Sequence, residues 1–331
     1  KNQKTKNAQS VKTLKTRHKL ALTGTPIENS LAELWSIFDF LMPQYLFNYH
    51  YFQKQYENDI VKSNDEEKTK QLKKLVTPFI LRRNKKEVLT ELPDKIEQNI
   101  ILPFNDEEEK IYVANLAKAN KELQELYDLE GSDKMQILKL LTRLRQLCLE
   151  PRLVYDNIDQ PSSKLKACME LIKTMQENKQ KVLLFSSFTS VLDLIAEECQ
   201  KAGITYYMLT GSTNKEDRRE LVSRFQKDDT TVFLISLKAG GTGLNLTSAE
   251  TVIHFDPWWN VSAQNQATDR AYRIGQKNNV QVFNLVMKDS VEEKIIELQK
   301  RKKELADMFV ENNSGGLSQM SKEDILSLFT M

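Results

Sequence analysis

The feature that most constrains the fold of this chain is a strict alternation of apolar strands and amphipathic helices, which starts near Pro161. Short apolar strands joined by helical crossovers form parallel sheets that are covered on both faces, with right-handed connections. This part of the chain therefore predicts an α/β lobe, RecA-like or doubly wound, of about 150 residues. The predicted strands are 182–185, 204–209, 231–235, 251–255 and 280–286, and the predicted helices are 191–201, 215–225, 262–273 and 291–309.

The first part of the chain has mainly helical spacing. Residues 19–23 predict one short strand, and the apolar residues between 27 and 42 fall on one helix face. Thr23 and Thr25 place two hydroxyl groups beside the predicted end of the strand. In an open α/β sheet this is where ligands bind, although a simple tight turn explains the same residues equally well.

The segment 44–160 is rich first in aromatic and then in charged residues, and we expect it to form a helical subdomain. It contains a predicted strand at 96–102 and two predicted helices, at 105–129 and 135–149. The first of these helices opens with an Asn-x-x-Glu sequence of the capping-box kind. A basic cluster at 79–87 is either a patch that faces phosphate or the solvated start of a helix, and both interpretations remain open.

A glycine-rich loop directly follows the predicted strand 231–235. Residues 240–243 read Gly-Gly-Thr-Gly, and glycines let backbone amides approach the phosphates of a nucleotide or a nucleic acid without a Cβ in the way. The loop is not a dinucleotide fingerprint, and the Gly-Lys-Ser/Thr of a Walker A loop occurs nowhere in the chain. No Asp-Glu pair follows an apolar strand, so the carboxylates that would serve Mg²⁺ beside a phosphate are missing from this sequence.

Two arginines, Arg270 and Arg273, lie three residues apart on the predicted helix 262–273. Residues i and i+3 share a helix face, so both guanidinium groups would project together. Each presents a planar fork of donors that suits an anion with several oxygens. Alone, such a pair is more often part of a solvated helix face. The glycine loop and the adjacent Trp258-Trp259 favour an anion site.

The composition excludes several classes of protein. The net charge is only +2, so a polyanionic partner would be met by local patches rather than by the field of the whole chain. The three cysteines show no Cys-x-x-Cys spacing, which argues against a zinc site or a disulfide scaffold and fits a reducing compartment. No apolar run approaches the ~20 residues of a membrane span. The chain begins at Lys1, and we expect it to be a piece of a longer protein.

Several short sequence motifs (called words below) together resemble those of the sucrose-nonfermenting (Snf) family of helicase-like, DNA-dependent ATPases of superfamily two. They are LTGTPIEN at 22–29, FILRRNKK at 79–86, LPDK at 92–95, LRQLCLEP at 144–151, VLLFSSF at 182–188, KAGGTGLNL at 238–246, DPWWN at 256–260 and QATDRAYRIGQ at 266–276. The first word looks like motif III of the family, and the last four look like its motifs IV, V and VI. The resemblance covers nearly the whole chain, and the wording of the motifs is typical of bacterial members of the family.

The resemblance implies one part of a motor with two RecA-like lobes. It assigns residues 1–43 to the end of the first lobe, 44–160 to a helical insertion and linker, 161–310 to the second lobe, and 311–331 to a tail with a short helix. In the family the Walker A loop and the Asp-Glu box precede motif III. We therefore expect both upstream of Lys1, where they would hold most of the ATP and the Mg²⁺.

The same resemblance implies roles for single residues. Arg270 and Arg273 are expected to act as arginine fingers, and Gln266 lies one predicted helical turn before Arg270. The expected nucleotide contacts are Gly243, Asn245, Thr23, Gly24 and Thr25. The expected DNA contacts are Ser187, Lys238, Gly240, Gly241 and Trp259. Trp259 would couple DNA binding to hydrolysis, pack on the sheet, or do both.

The resemblance thus implies the C-terminal half of an ATP-dependent translocase or remodeller on double-stranded DNA, which would be inactive as an isolated piece. Its partners would be double-stranded DNA and a nucleoprotein, transcription or repair complex, in the cytoplasm and nucleoid of a bacterium, with the chain as a monomer. A second hypothesis is a non-enzymatic module that binds DNA or protein and has kept the motor fold. A third is a small-molecule enzyme with a Rossmann-like domain, for which the sequence offers neither a nucleotide fingerprint nor paired catalytic carboxylates.

Overall fold

The structure, a computed structural model, describes residues 5–23, 30–63, 65–81, 83, 92–128, 134–240 and 243–309. These residues form two compact units. The first unit holds the described residues before Val88, together with 259–262 and 298–309. The second unit holds the described residues of 89–258 and 263–297.

The regular structure described in the first unit is helical. Its N-terminal helices are α1 (Lys6–Lys12), α2 (Leu31–Leu41), α3 (Tyr49–Phe52), α4 (Asn58–Ser63) and α5 (Glu66–Val76), with a π-helical turn at Gln53–Glu57. The core of this unit is aromatic, because Trp35 and Phe38 of α2 and Phe52 of α3 are all buried in one cluster. Trp35 also donates from Nε1 to the carbonyl oxygen of Phe47 at 3.1 Å, which ties α2 to the loop before α3.

The strand predicted at 19–23 is wrong. Residues 18–23 have no regular structure, and Leu20 and Leu22 are 88% and 99% exposed. A strand needs a neighbour to pair its backbone N–H and C=O groups, and the described residues of this unit contain no other strand. Ser30 is the N-cap residue of α2, which begins at Leu31, while residues 24–29 lie outside the described residues.

The second unit confirms the predicted α/β class. The elements from residue 92 onward are β1 (Lys95–Leu102), α6 (Asp106–Asp128), α7 (Lys134–Leu149), α8 (Ser163–Glu177), β2 (Val182–Ser186), α9 (Thr189–Lys201), β3 (Tyr206–Leu209), α10 (Lys215–Phe225), β4 (Val232–Ser236), α11 (Leu237–Gly240), β5 (Thr251–His254), α12 (Val261–Thr268), β6 (Val280–Met287) and α13 (Val291–Phe309). No described helix has the length and apolar character that crossing a membrane requires.

The six strands form one sheet in the order β1-β6-β5-β2-β4-β3, and every pair is parallel. The central strands β2, β4 and β5 are buried along their whole length, as strands covered on both faces must be. β1 is an edge strand of this same sheet, paired from Lys95 opposite Val280 to Leu102 opposite Met287. The strand from the 44–160 segment therefore completes the sheet of the second unit.

Each face of the sheet has its own apolar core. On one face, Leu184 and Ile253 of the sheet pack with residues of α8 and α9 such as Ile172 and Ile195. On the other face, Phe185 and Phe233 pack with Phe225 of α10, and this cluster also contains Leu244, Leu246, Ala267 and Ala271. Burial of each leucine, isoleucine or phenylalanine side chain in these clusters contributes about 1.5–3 kcal/mol. The second face is therefore the one that carries the glycine-rich loop and the segment with the two arginines.

Polar contacts cap α6 and join α8 to α13. The capping box of α6 is present, because Asn105 Oδ1 accepts from the backbone N–H of Glu108 at 2.9 Å and Glu108 Oε2 accepts from that of Asn105 at 3.2 Å. Within the core, Nζ of Lys164 in α8 lies 2.7 Å from both carboxylate oxygens of Glu292 in α13. Both side chains are fully buried, and burial raises the pKa of Glu292.

Candidate functional site

The glycine-rich loop starts at the carboxyl end of β4, on the side of a parallel sheet where ligands bind. β4 ends at Ser236, and 237–240 form the single turn of α11. Gly240 is buried, and a Cβ at this position would lie 2.9 Å from Cε1 of Phe185 in the neighbouring strand β2. The loop is thus seated directly on the sheet. Gly243 is exposed and has a φ of +42°, a conformation that favours glycine.

The helix predicted over 262–273 is shorter than predicted. α12 ends at Thr268, and residues 269–275 form successive turns and bends. The carbonyl oxygen of Arg270 accepts a hydrogen bond from the backbone N–H of Leu246 at 3.0 Å, so it is engaged by the glycine loop rather than by a further helical turn. Arg270 and Arg273 therefore do not share a helix face.

The turn nevertheless brings both arginines to the glycine loop. Nε of Arg270 donates to the carbonyl oxygen of Gly240 at 3.0 Å, and Nη1 of Arg273 donates to that of Leu244 at 3.0 Å. Arg270 is buried and Arg273 is exposed. The two guanidinium groups consequently bind the loop on either side of residues 241–243.

A third arginine, which the sequence analysis did not select, reaches the same loop. Nη2 of Arg218 in α10 donates to the carbonyl oxygen of Ala239, and its Nε is buried with no hydrogen-bond partner among the described residues. Burial lowers the pKa of Arg270, and the charges of Arg273 and Arg218 lower it further. An anion with several oxygens would relieve this repulsion and accept from the buried Nε, so the arrangement fits a phosphate group.

The other predicted nucleotide contacts are distributed over both units. Asn245 is exposed on the loop, and its carbonyl oxygen accepts at 2.7 Å from Nε2 of Gln226, the C-cap residue of α10. Gln266 is half-buried in α12. Thr23 is exposed and belongs to the first unit. The predicted contacts Gly24 and Thr25 lie outside the described residues.

The predicted DNA contacts also differ in their surroundings. Lys238 is exposed on α11, and Trp259 is half-buried. Gly241 lies outside the described residues. Ser187 follows β2 and is turned inward, because its backbone N–H donates to Oδ1 of Asp256 at 2.9 Å and its hydroxyl donates to Oδ2 of the same carboxylate. Asp256 is also paired with a buried cation, Arg145 of α7, at 2.9 Å.

Sequence reasoning missed Arg145, Asp256, Arg218 and Gln226. A signal existed for Arg145, since it lies next to Leu144 on a helix with a broad apolar face, and a charged side chain in such a place needs a buried partner. No comparable signal marks Arg218, which is one of several charged residues on a polar helix. In the described part of the chain, no group of three or more His, Cys, Asp or Glu side chains could hold a metal ion.

Comparison with known proteins gives the chain a family context. Residues 1–153 match the SNF2-related domain, and residues 163–275 match the helicase conserved C-terminal domain. The chain is 34% identical to the SWI2/SNF2 ATPase core of Sulfolobus solfataricus, solved in complex with double-stranded DNA. That match has a TM-score of 0.59 and covers 99% of this chain and 70% of that one.

Two named relatives match along almost the entire chain. An uncharacterized ATP-dependent helicase of Mycoplasma pneumoniae is 38% identical over 330 residues, which are 99% of this chain and 31% of that protein. The ISWI chromatin-remodeling complex ATPase ISW1 of Saccharomyces cerevisiae is 33% identical over an alignment of 348 positions, which covers 99% of this chain and 31% of that protein. The chain spans about a third of the length of these curated relatives.

Proposed function

Since the chain belongs to the SNF2 family of helicase-like ATPases, we propose that it forms the C-terminal part of an ATP-driven translocase or remodeller of double-stranded DNA. In this proposal the second unit is the second lobe of the motor. The remainder of the motor, with the Walker A loop, the Asp-Glu box and most of the ATP and Mg²⁺ contacts, is the main part of the first lobe, of which residues 1–43 are the end.

The observation that carries the proposal is the meeting of Arg270 and Arg273 on one glycine-rich loop, at the carboxyl end of a central strand. ATP, when bound, supplies the phosphoanhydride bond whose hydrolysis drives the motor. This chain would bring guanidinium donors to its phosphates from Arg270, Arg273 and Arg218, and Gly243 and Asn245 belong to the same loop. An arginine finger of this kind is worth about 10³-fold or more in rate.

Double-stranded DNA is the polymer that we propose for the exposed part of this loop. The Sulfolobus relative was solved with such a duplex. In this chain, Lys238 is exposed two residues before the buried Gly240, so a cation stands on the turn that follows the carboxyl end of β4. Contacts of this kind read the phosphate backbone and position the protein without reading base sequence. Lys238, Gly240, Gly241 and Trp259 are the proposed contacts, and a nucleoprotein complex in a bacterial cytoplasm is the proposed setting.

The proposal is tested by ATP turnover with and without double-stranded DNA. The chain alone should be a monomer and should not hydrolyse ATP. It should become a DNA-stimulated ATPase when it is joined to the rest of a first lobe that carries the Walker A loop. In the joined protein, Arg273→Ala should lower DNA-stimulated turnover about 10³-fold. Arg219→Ala, which removes an exposed arginine of α10, should leave turnover unchanged.

Two outcomes would contradict this proposal in different ways. Normal DNA-stimulated turnover in the Arg273→Ala protein would remove the arginine-finger assignment. DNA binding without any turnover in the joined protein would instead favour a non-enzymatic module that has kept the motor fold.

A further inference from the structure

Arg145 is a buried cation at the carboxyl ends of two central strands. Its Nη2 lies 2.9 Å from Oδ2 of Asp256, 3.0 Å from Oγ of Ser187 and 3.3 Å from the carbonyl oxygen of Pro257. Ser187 directly follows β2, Asp256 lies two residues after β5, and these two strands are paired neighbours. One guanidinium group thus joins the loops that leave the two central strands.

Two aromatic rings hold the same guanidinium group. Its carbon lies 5.0 Å from the ring centroid of Phe188 and 5.6 Å from that of Trp258. Phe188 is the last residue before α9. Trp258 lies in the segment 256–258 that follows β5, and this segment is called the Trp258 corner. Cation–π contacts are strongest where water is excluded, and Arg145 is buried. The side chain therefore fixes both loops through ring contacts as well as through hydrogen bonds.

The carboxylate of Asp256 organises the donors around this cation. Its Oδ1 accepts from Oγ of Ser186 at 2.7 Å and from the backbone N–H of Ser187 at 2.9 Å, and its Oδ2 accepts from the Ser187 hydroxyl and from Arg145. Ser187 has only two donors, its N–H and its O–H. Because both point to Asp256, Ser187 has no donor to offer a DNA phosphate while this cluster is intact.

Removing the cation would disturb both loops together. Asp256 is 1% exposed, and a buried carboxylate that loses its ionic partner is strongly destabilised in its site. It can regain solvation only if the segment 256–258 or the start of α9 moves. The Arg145–Asp256 pair consequently controls where the Trp258 corner and the segment 187–189 stand relative to each other.

We propose that Arg145 is a positioning residue for DNA-dependent turnover. Arg145 holds Asp256, and Asp256 in turn holds Ser187. The loop after β2 and the Trp258 corner thereby keep the relative positions in which they contact DNA. Ser187 serves this cluster rather than contacting phosphate. The effect on turnover rests on the function proposed above, whereas the effect on the loops does not.

The first experiment uses the chain itself and does not depend on ATP hydrolysis. The chain has three tryptophans, so Trp35→Phe with Trp259→Phe leaves Trp258 as the single fluorescent reporter. We expect Arg145→Met to raise acrylamide quenching of Trp258 by about twofold or more, because the ring loses its cationic partner. Arg143→Met is the matched control: it lies on the same helix, and its partners are Asn115 and Tyr155. It should leave quenching unchanged.

The second experiment separates positioning from folding in the DNA-stimulated ATPase of the joined protein. Arg145→Met should raise the DNA concentration for half-maximal stimulation about tenfold, with much less change in turnover at saturating DNA. Arg145→Lys, which keeps the charge but not the fork, should fall in between. Ser187→Ala leaves the Arg145–Asp256 ion pair in place. This variant should nevertheless raise both the quenching of Trp258 and the half-saturating DNA concentration.

Three different results would each contradict a different part of these proposals. Equal Trp258 quenching in the Arg145→Met and Arg143→Met chains would show that Arg145 does not hold the corner. A Ser187→Ala chain with weaker DNA binding and unchanged quenching would show that Ser187 contacts DNA directly. A joined protein with no DNA-stimulated turnover, but with the expected quenching, would contradict the proposed function and leave the positioning of the loops established.

Discussion

At the scale of single residues, the burial of the His254 imidazole changes how the stability of the chain responds to pH. It is 1% exposed at the end of β5, and its Nε2 lies 2.9 Å from Oγ1 of Thr268. Its Nδ1 is buried with no hydrogen-bond partner among the described residues. Burial lowers the pKa of His254 from 6.5 to about 4. The folded chain therefore keeps this ring neutral at pH values where an unfolded chain protonates it.

This difference predicts a loss of stability in weak acid. The unfolded chain takes up a proton below about pH 6.5 and the folded chain only below about pH 4, so stability falls as the pH drops through this window. Between pH 7 and pH 5 the contribution is about 2 kcal/mol. Urea unfolding at both pH values measures it. His254→Gln should remove this part of the pH dependence, whereas His50→Gln, at an exposed position, should retain it. Equal pH dependence in both variants would contradict the prediction.

At the scale of elements, α10 acts as a support for the glycine-rich loop. Arg218 binds the carbonyl oxygen of Ala239 near the start of the loop, and Gln226 binds that of Asn245 near its end. Gln226 also accepts from the backbone N–H of Ser248 at 3.1 Å. A loop whose backbone is held from one helix is rigid without needing a regular structure of its own.

Loss of the Arg218 contact should loosen the loop without unfolding the domain. A charge-assisted hydrogen bond contributes about 1.5–3 kcal/mol, which corresponds to roughly 10- to 100-fold faster amide exchange wherever local opening controls it. Hydrogen exchange of the chain, read at residues 243–246, measures this effect in Arg218→Ala. Arg219→Ala removes the exposed neighbour on the same helix and should leave the exchange as in the wild type. Similar exchange in both variants would show that α10 does not support the loop.

How far the sequence predicts the elements depends on whether local or distant partners decide them. The buried strands were predictable, because runs such as 182–185 and 232–235 are apolar along their whole length and are bounded by polar residues. The end of α12 was not, since the partner of the Arg270 carbonyl oxygen is Leu246, on another loop. The strand predicted at 19–23 has apolar spacing but no described neighbour in its unit.

The candidate site, like the elements, was predictable only where local sequence decides it. The glycine-rich loop and the two arginines are recognisable from residue types and spacing, and the structure brings them together. The carbonyl oxygens that these arginines bind could not be predicted, because they depend on the path of a loop that has no regular structure. Arg218 and Asp256 reach their partners across elements that are 21 residues or more apart in sequence, so no local pattern reveals which residues those partners are.

At the scale of the whole molecule, the net charge of +2 means that the proposed DNA binding must come from a local surface. We expect the binding of duplex DNA to weaken linearly with the logarithm of the salt concentration, with a slope of several units, because each neutralised phosphate contributes about 0.9. Lys238→Ala should reduce the slope by about one. The control is Lys166→Ala, an exposed lysine of α8 on the opposite face of the sheet. An unchanged slope for Lys238→Ala would place the DNA elsewhere.

The pairing of β1 with β6 has a consequence for how the chain is made. The backbone N–H of Asp94, just before β1, is bonded to Asn279, which lies 185 residues further along. On a ribosome that adds ~5–20 residues per second, β1 would wait roughly 10–40 s for its partner. During that time Ile96 and Ile101, which are still half-exposed in the finished fold, have no neighbouring strand. Nascent chains that stall before residue 280 would therefore present two unpaired strand edges, β1 and β5, and should be the species that chaperones bind.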